Sequence, residues 1–265
     1  MTYETILYDV QDGVATITLN QPDTYNALTQ KSYKEILHAL KQVNRDENAR
    51  VLVLTGAGKG FCSGANLTEF DITQQSIEVG DVLRAGLNQI SMALRNLPKP
   101  VICAINGVAA GAGASLTLSC DYRIASDKAS YVFGAFLNIG IIPDAGATYL
   151  LPQLIGASRA IELAWLADGE NRLDMQTACN YGLVQRVVAQ DDFESDVAAL
   201  AAKMAGMATK ALAMSKRAIY SASERTLPEA LEYEAQLQTA AFRTDDFKEG
   251  VMAFLEKRPP EFKGK

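Results

Sequence analysis

The chain has 265 residues, a formal net charge of −6 and 48% hydrophobic residues, sufficient for one large domain or one domain with an appendage. No run approaches the ~20 apolar residues of a membrane span, and the acidic balance argues against nucleic-acid binding, which needs a basic footprint. Cys62, Cys103, Cys120 and Cys179 form no C-x-x-C pair, so reduced thiols in a cytoplasmic protein are expected and metal binding is not.

In chain order, "TILYDV" and "VATITL" flank Gln11-Asp12-Gly13 and predict a hairpin with a glycine-containing turn. The opening "MTYETILYDVQDG" has neither a basic leader nor an apolar core, so a secretory signal is not expected. Residues 29–44 carry Tyr33, Ile36, Leu37 and Leu40 at helical spacing. "RVLVLTG" reads as a buried strand, and "VGDVLRAGLNQISMALRNL" as one long helix stopped before Pro98. "PVICAING" predicts the next strand, "AGAGASLTLSC" a helix of small residues, and "DYRIAS" and "SYVFG" further short strands. Beyond Pro143 the pattern is helical, with one strand-like exception at "LVQRVV". A composition shift near residue 200 predicts an α/β core over 1–200 and a helical region over 201–265.

The single histidine, His38, falls off the apolar stripe of its helix and is expected to face solvent. Histidine-dependent triads and metal sites therefore have no candidate. No G-x-S-x-G elbow occurs, and "GAGKGFCSG" fits neither the P-loop nor the dinucleotide glycine pattern. Two glycine-rich stretches remain, "LTGAGKGFCSGANLTEF" and "AINGVAAGAGASLTL", each following a predicted strand. Each alone is compatible with tight strand–turn–helix packing. Together they suggest two backbone amides converging on a developing oxyanion, assisted by a helix N-terminus. The run "IIPDAGAT" sets one acid, Asp144, among apolar and small neighbours. Such a setting suits either an N-cap of a helix from Ala145 or a proton-transfer group with a raised pKa.

"PDTYNAL", "GKGFCSGANL", "KPVICAINGVAAGAGASL" and "GIIPDAGATYLLP" resemble the successive signatures of the enoyl-CoA hydratase/isomerase (crotonase) superfamily, and the likeness runs to "GVMAFLEKRPPEF". The resemblance implies an α/β fold, a crotonase-like spiral of ββα units with a helical C-terminal trimerisation region. It also implies an acyl-CoA substrate, with coenzyme A part of that substrate and no separate cofactor, and a homo-trimer or dimer of trimers. By motif position the N–H groups of Ala65 and Ala112 would form the oxyanion hole. Ala65, Asn66, Leu67 and Thr68 would line the adenine and pantetheine site, with Gly111 at the oxyanion turn. Phe254 and Lys257 match positions that reach a neighbouring subunit's CoA; an amphipathic end helix with one solvated lysine accounts for Lys257 equally well.

Departures from the pattern decide the expected chemistry. Hydratases of the family place glutamates at two positions that here hold Ser115 and Phe136. Asp144 instead occupies the acid position of several CoA isomerases and of a dehalogenase branch. "NGVAAGAGASL" and "KRPPEFKGK" are most similar to the phenylacetate-pathway isomerase branch. The expected activity is an acyl-CoA isomerase using Asp144 as acid and base. A hydratase working through Asp144 alone, covalent attack by the aspartate, and a non-catalytic CoA-binding scaffold stand as alternatives. Phe133, Phe136 and Leu137 would suit an aromatic acyl group or ordinary core.

Overall fold

Between residues 51 and 132 successive strands alternate between two sheets in the computed structural model, which describes residues 2–69 and 78–265. The hairpin pairs β1 (Ile6–Gln11) with β2 (Val14–Leu19) through Gln11↔Val14. Asp12 and Gly13 both have positive φ, 50° and 83°, the conformation that a two-residue Asp-Gly hairpin turn favours. Next come α1 (Gln30–Arg45), β3 (Val51–Gly56), β4 (Gly60–Cys62), α2 (Val79–Ala85) and α3 (Leu87–Asn96). The spiral continues with β5 (Val101–Ile105), β6 (Val108–Ala110), α4 (Ala112–Thr117), β7 (Tyr122–Ser126) and β8 (Ser130–Val132). A 3-10 segment (Phe133–Ile139), α5 (Ala147–Ile155), α6 (Ala157–Leu166), β9 (Leu173–Asp174), α7 (Met175–Asn180) and β10 (Arg186–Val188) follow. The chain finishes in α8 (Phe193–Ala205), α9 (Thr209–Ser221), α10 (Leu227–Ala241) and α11 (Asp245–Glu256).

The larger sheet runs β1-β2-β3-β5-β7-β10 and the smaller β4-β6-β8-β9. Each turn of the spiral thus gives one strand to each sheet: β3 then β4, β5 then β6, β7 then β8. Within β3, Leu52 and Leu54 join the main core with Ile36, Leu40 and Leu94, while Val51 and Val53 join a second cluster beneath Phe193, Ala201 and Ala205 of α8. Both faces of the strand are covered, which is why "VLVL" reads as an unbroken apolar run. Residue 200 lies inside α8, whose buried residues belong to that second cluster.

Three local expectations need correction. The single helix foreseen over "VGDVLRAGLNQISMALRNL" is two, broken at Gly86 (φ −113°, ψ −98°). A Cβ at Gly86 would stand 2.6 Å from Tyr33 Cδ2, so packing of α1 dictates the break. Beyond Pro143 the chain contains β9 as well as the foreseen β10, and β4 and β6 emerge inside the glycine-rich stretches. His38 is half-buried rather than solvated: Tyr3 crosses α1 and places its hydroxyl 2.8 Å from His38 Nδ1. That crossing is held by Glu35, which accepts from Thr5 N and Thr5 Oγ1 at 2.8 and 2.7 Å. Among the described residues no single helix is long and apolar enough to cross a membrane. Phe70, the last residue of the first glycine-rich stretch, lies outside the described residues.

Candidate active site

The two glycine-rich turns meet. β4 pairs in parallel with β6, which aligns the ends of both strands. Gly64 has φ +97°, and a Cβ there would lie 3.0 Å from Ala110 O and 3.3 Å from Ala112 N. Gly113 is closer still, since its Cβ would overlap Cys62 O at 2.3 Å. Only residues without side chains let the start of α4 press so tightly on β4. Leu28 bridges Ala65 by donating to Gly64 O at 2.7 Å and accepting from Asn66 N at 2.8 Å. That pattern steps over Ala65 itself. Ala112 is the first residue of α4, where no preceding turn supplies an acceptor. Among the described residues neither N–H donates to a backbone carbonyl, so two adjacent turns present two open donors.

Asp144 supplies the site's carboxylate. Its Oδ1 is buried without a hydrogen-bond partner among the described residues. Burial pushes its pKa up to about 6, opposed only by its own backbone N–H. The expected N-cap role does not hold. Helix α5 starts at Ala147, its N-cap is Gly146, and no side chain caps it. Ala145 and Gly146 are both left-handed, with φ +51° and +89°, and the turn is closed by backbone alone, Ala147 N to Asp144 O at 3.0 Å. Ala145 is a strained non-glycine residue of the kind that concentrates at functional sites. Ser91 of α3 holds it by donating from Oγ to Ala145 O at 2.9 Å.

Phe136 joins the two halves. It is 5% exposed, and its Cζ would lie 3.8 Å from a Cβ on Gly111, which itself needs φ +50°. Phe136 O also accepts from Ile141 N at 3.1 Å, tying the aromatic segment to the approach to Asp144. Ser115 is fully buried and its hydroxyl donates to Gly111 O at 3.2 Å, so it supports the turn and offers no acid. Downstream of Ala65, Asn66 Oδ1 accepts from Thr68 N and Oγ1 at 3.1 and 2.8 Å, while Leu67 stands exposed beside it. Phe254 and Lys257 are not brought into this set. Phe254, 82% exposed, borders a separate hollow with Phe242 and Phe262, and Lys257 ends α11 with φ +55°.

Tyr33 is a site neighbour that periodicity assigned simply to the core. It is buried; that burial first, and the charges of Asp144, Cys62 and Glu69 next, push its phenol above the ordinary range. Tyr33 is therefore within electrostatic reach of both Asp144 and Cys62 of β4. Its spacing with Ile36 and Leu40 marks the buried face of α1, but nothing local distinguishes a site phenol from a packing ring. Among the described residues no three His, Cys, Asp or Glu side chains cluster to hold a metal. The arrangement offers two backbone donors, a carboxylate able to hold or release a proton near neutral pH, and the Phe136 ring beside the donor turn.

The family model described as enoyl-CoA hydratase/isomerase matches residues 9–265. The chain belongs to the enoyl-CoA hydratase/isomerase family. Within the family, a 1,2-epoxyphenylacetyl-CoA isomerase from Escherichia coli is 42% identical over 264 residues, 99% of each chain. A protein of Rhodobacter capsulatus named a probable enoyl-CoA hydratase is 40% identical over 265 residues, covering all of both. The crystal structure of an enoyl-CoA hydratase from Bacillus anthracis superposes with a TM-score of 0.90 at 36% identity, over 99% of this chain and 100% of that one. The crotonase-like spiral expected from the motifs is the observed fold. The family acts on acyl-CoA substrates, and both isomerase and hydratase names occur among these relatives.

Proposed function

We propose that the protein is an acyl-CoA isomerase in which Asp144 is both acid and base and the N–H groups of Ala65 and Ala112 hold the thioester oxygen. The observation that carries this reading is the half-buried Asp144 carboxylate, whose Oδ1 is buried without a partner among the described residues and whose pKa is raised to about 6, together with Ser115 and Phe136 at the two positions where hydratases carry acids. On a 3-enoyl thioester, ionised Asp144 removes a proton from C2. The electron pair moves onto the thioester oxygen, where the two donors offset the developing charge. The protonated Asp144 then delivers the same proton to C4, and the double bond settles between C2 and C3. A single carboxylate with a pKa near the working pH serves both directions of transfer. The E. coli relative's name supports a ring-epoxide rearrangement at the same site as a second substrate type. Phe136 against the oxyanion turn suits an aromatic acyl group.

Coenzyme A thioesters, and not free acids, are the substrates in this reading, because the donors address a neutral carbonyl that becomes anionic. Asn66, Leu67 and Thr68 continue from Ala65 to line the pantetheine and adenine. A homo-trimer completes the proposal: Leu227, Leu231, Phe254 and Leu255 are exposed on α10 and α11, and such surface is ordinarily covered. In the trimer Phe254 and Lys257 reach the CoA of a neighbour. The deciding experiment mixes purified protein with a 3-enoyl-CoA and follows the conjugated thioester absorbance. Its appearance without formation of a hydroxyacyl product supports isomerisation; accumulation of the hydroxyacyl-CoA transfers the reading to hydration, and no change of either kind to a scaffold. Sedimentation that finds only active monomer at micromolar concentration overturns the trimer.

A further inference from the structure

A hollow of about 650 Å³ opens between α3, α5 and α9. Asp144, Ala65, Ala112 and Phe136 do not line it. Its volume falls in the ordinary range for small-molecule sites, and its walls include Leu97, Pro98, Leu150 and Met214. Polar features interrupt this apolar surface. Ser119 is one of the lining residues, fully buried, and its Oγ has no hydrogen-bond partner among the described residues. Four lining residues are cationic, Arg95, Lys210, Lys216 and Arg217, against the single carboxylate of Glu224.

These cations are not equivalent. Lys216 is committed: it pairs with Asp121 Oδ2 at 2.9 Å and donates to Leu94 O at 3.0 Å. Tyr220 donates to the other oxygen of Asp121 at 2.5 Å and sets its ring beneath Arg95, whose Cζ is 3.3 Å from the ring centroid. Stacking orients the guanidinium while leaving its N–H edge available. Among the described residues neither Arg95 nor Lys210 forms an ion pair. We propose that this hollow is a second ligand site, which takes a small apolar carboxylate. The planar edge of Arg95 matches a carboxylate, Lys210 adds charge at the rim, and the remaining walls accept an apolar body. Ser91 and Gly146 line the same hollow, and Ser91 bonds Ala145 O. An occupant therefore bears, through Ser91 and Gly146, on the backbone next to Asp144.

The test titrates the full chain with 2-naphthoate, followed by naphthyl fluorescence, with 2-naphthamide as the neutral control. Both titrations are repeated with an unreactive acyl-CoA thioether at saturation. The naphthoate is expected to bind saturably, about tenfold or more tighter than the amide, and to stay bound beside the thioether. Arg95→Met and Lys210→Met should each weaken it about tenfold with thermal melts preserved. Lys210 is exposed, so that variant tests the charge without endangering the fold if Arg95→Met proves unstable. Equal binding of acid and amide, affinity indifferent to both variants, or no saturation by about 10 mM overturns the site. Displacement by the thioether also overturns it, because the hollow would then belong to the acyl end of the proposed active site.

Discussion

The donor half of the site and the acid half are built on opposite principles. Around Ala65 and Ala112 the backbone is locked by strand pairing, by Gly64 and Gly111 in left-handed conformations and by Gly113 against Cys62. Nothing there is held at an electrostatic cost, because amide donors are neutral. Around Asp144 a half-buried carboxylate keeps one oxygen, Oδ1, out of solvent with no partner among the described residues, and the adjoining Ala145 is strained. The first half is prepared by shape and the second by desolvation. A substitution should therefore damage the first through geometry and relax the second through relief of burial.

The largest effect expected is on turnover by Asp144→Asn. The amide keeps the shape of the carboxylate but cannot take a proton, so enoyl-CoA isomerisation should fall by about 10²–10⁴-fold. Near-normal turnover of the folded variant in the absorbance assay would remove Asp144 from the chemistry. Ala112→Pro probes the other half. Proline is tolerated at a first helical position but deletes one donor, and about 2.7–4 kcal/mol of transition-state stabilisation should go with it, roughly 10²–10³ in kcat. Circular dichroism must show α4's neighbourhood intact for that loss to count against the donor.

Stability separates the halves again. The folded pKa of Asp144, about 6, lies above its ordinary value of 3.8. The native state therefore holds this proton more tightly, and the group's contribution to stability declines as pH rises from about 4 to 6. Above that window the buried charge costs about 3 kcal/mol as an upper figure, at 1.36 kcal/mol per pKa unit. Asp144→Asn should accordingly be more stable than the parent at pH 7.5 by up to that amount, with the advantage gone near pH 4. Denaturant melts at the two pH values check it, and a variant less stable at both would show that the carboxylate has a partner in solution. The smallest effect is a change of profile: kcat/KM of the parent should lose activity below pH about 6 along a single-proton limb. A limb near pH 4 would mean that Asp144 is solvated.

Several of these features are legible in the amino-acid sequence. The Asp12-Gly13 turn, the two-faced β3 and the two glycine-rich turns each announce themselves locally, by turn chemistry, an unbroken apolar run or crowded small residues. The strands β4, β6 and β9 do not, since two or three residues cannot display a period of two. The break at Gly86 is invisible because its cause, the ring of Tyr33, is more than fifty residues away in sequence. The apolar neighbours of Asp144 mark it in the sequence, but the left-handed Ala145 and Gly146 exclude the cap. Glycine at 146 permits a left-handed turn, whereas nothing in "DAGA" indicates that alanine 145 adopts one too. The open edge of Arg95 depends on Tyr220 and Asp121, drawn together from separate elements, and had no signature at all.

Strand β3, with each face sealed by a different layer, has a consequence for how the molecule breathes. Its amides cannot meet solvent by fraying of α8 alone or of α1 alone, since either opening leaves the other cover in place. Exchange of the Leu52 and Val53 amide hydrogens with deuterium should therefore follow the slowest, global opening. Amides of the exposed Leu67 turn should exchange many orders of magnitude sooner, which makes β3 the internal clock for whole-molecule unfolding.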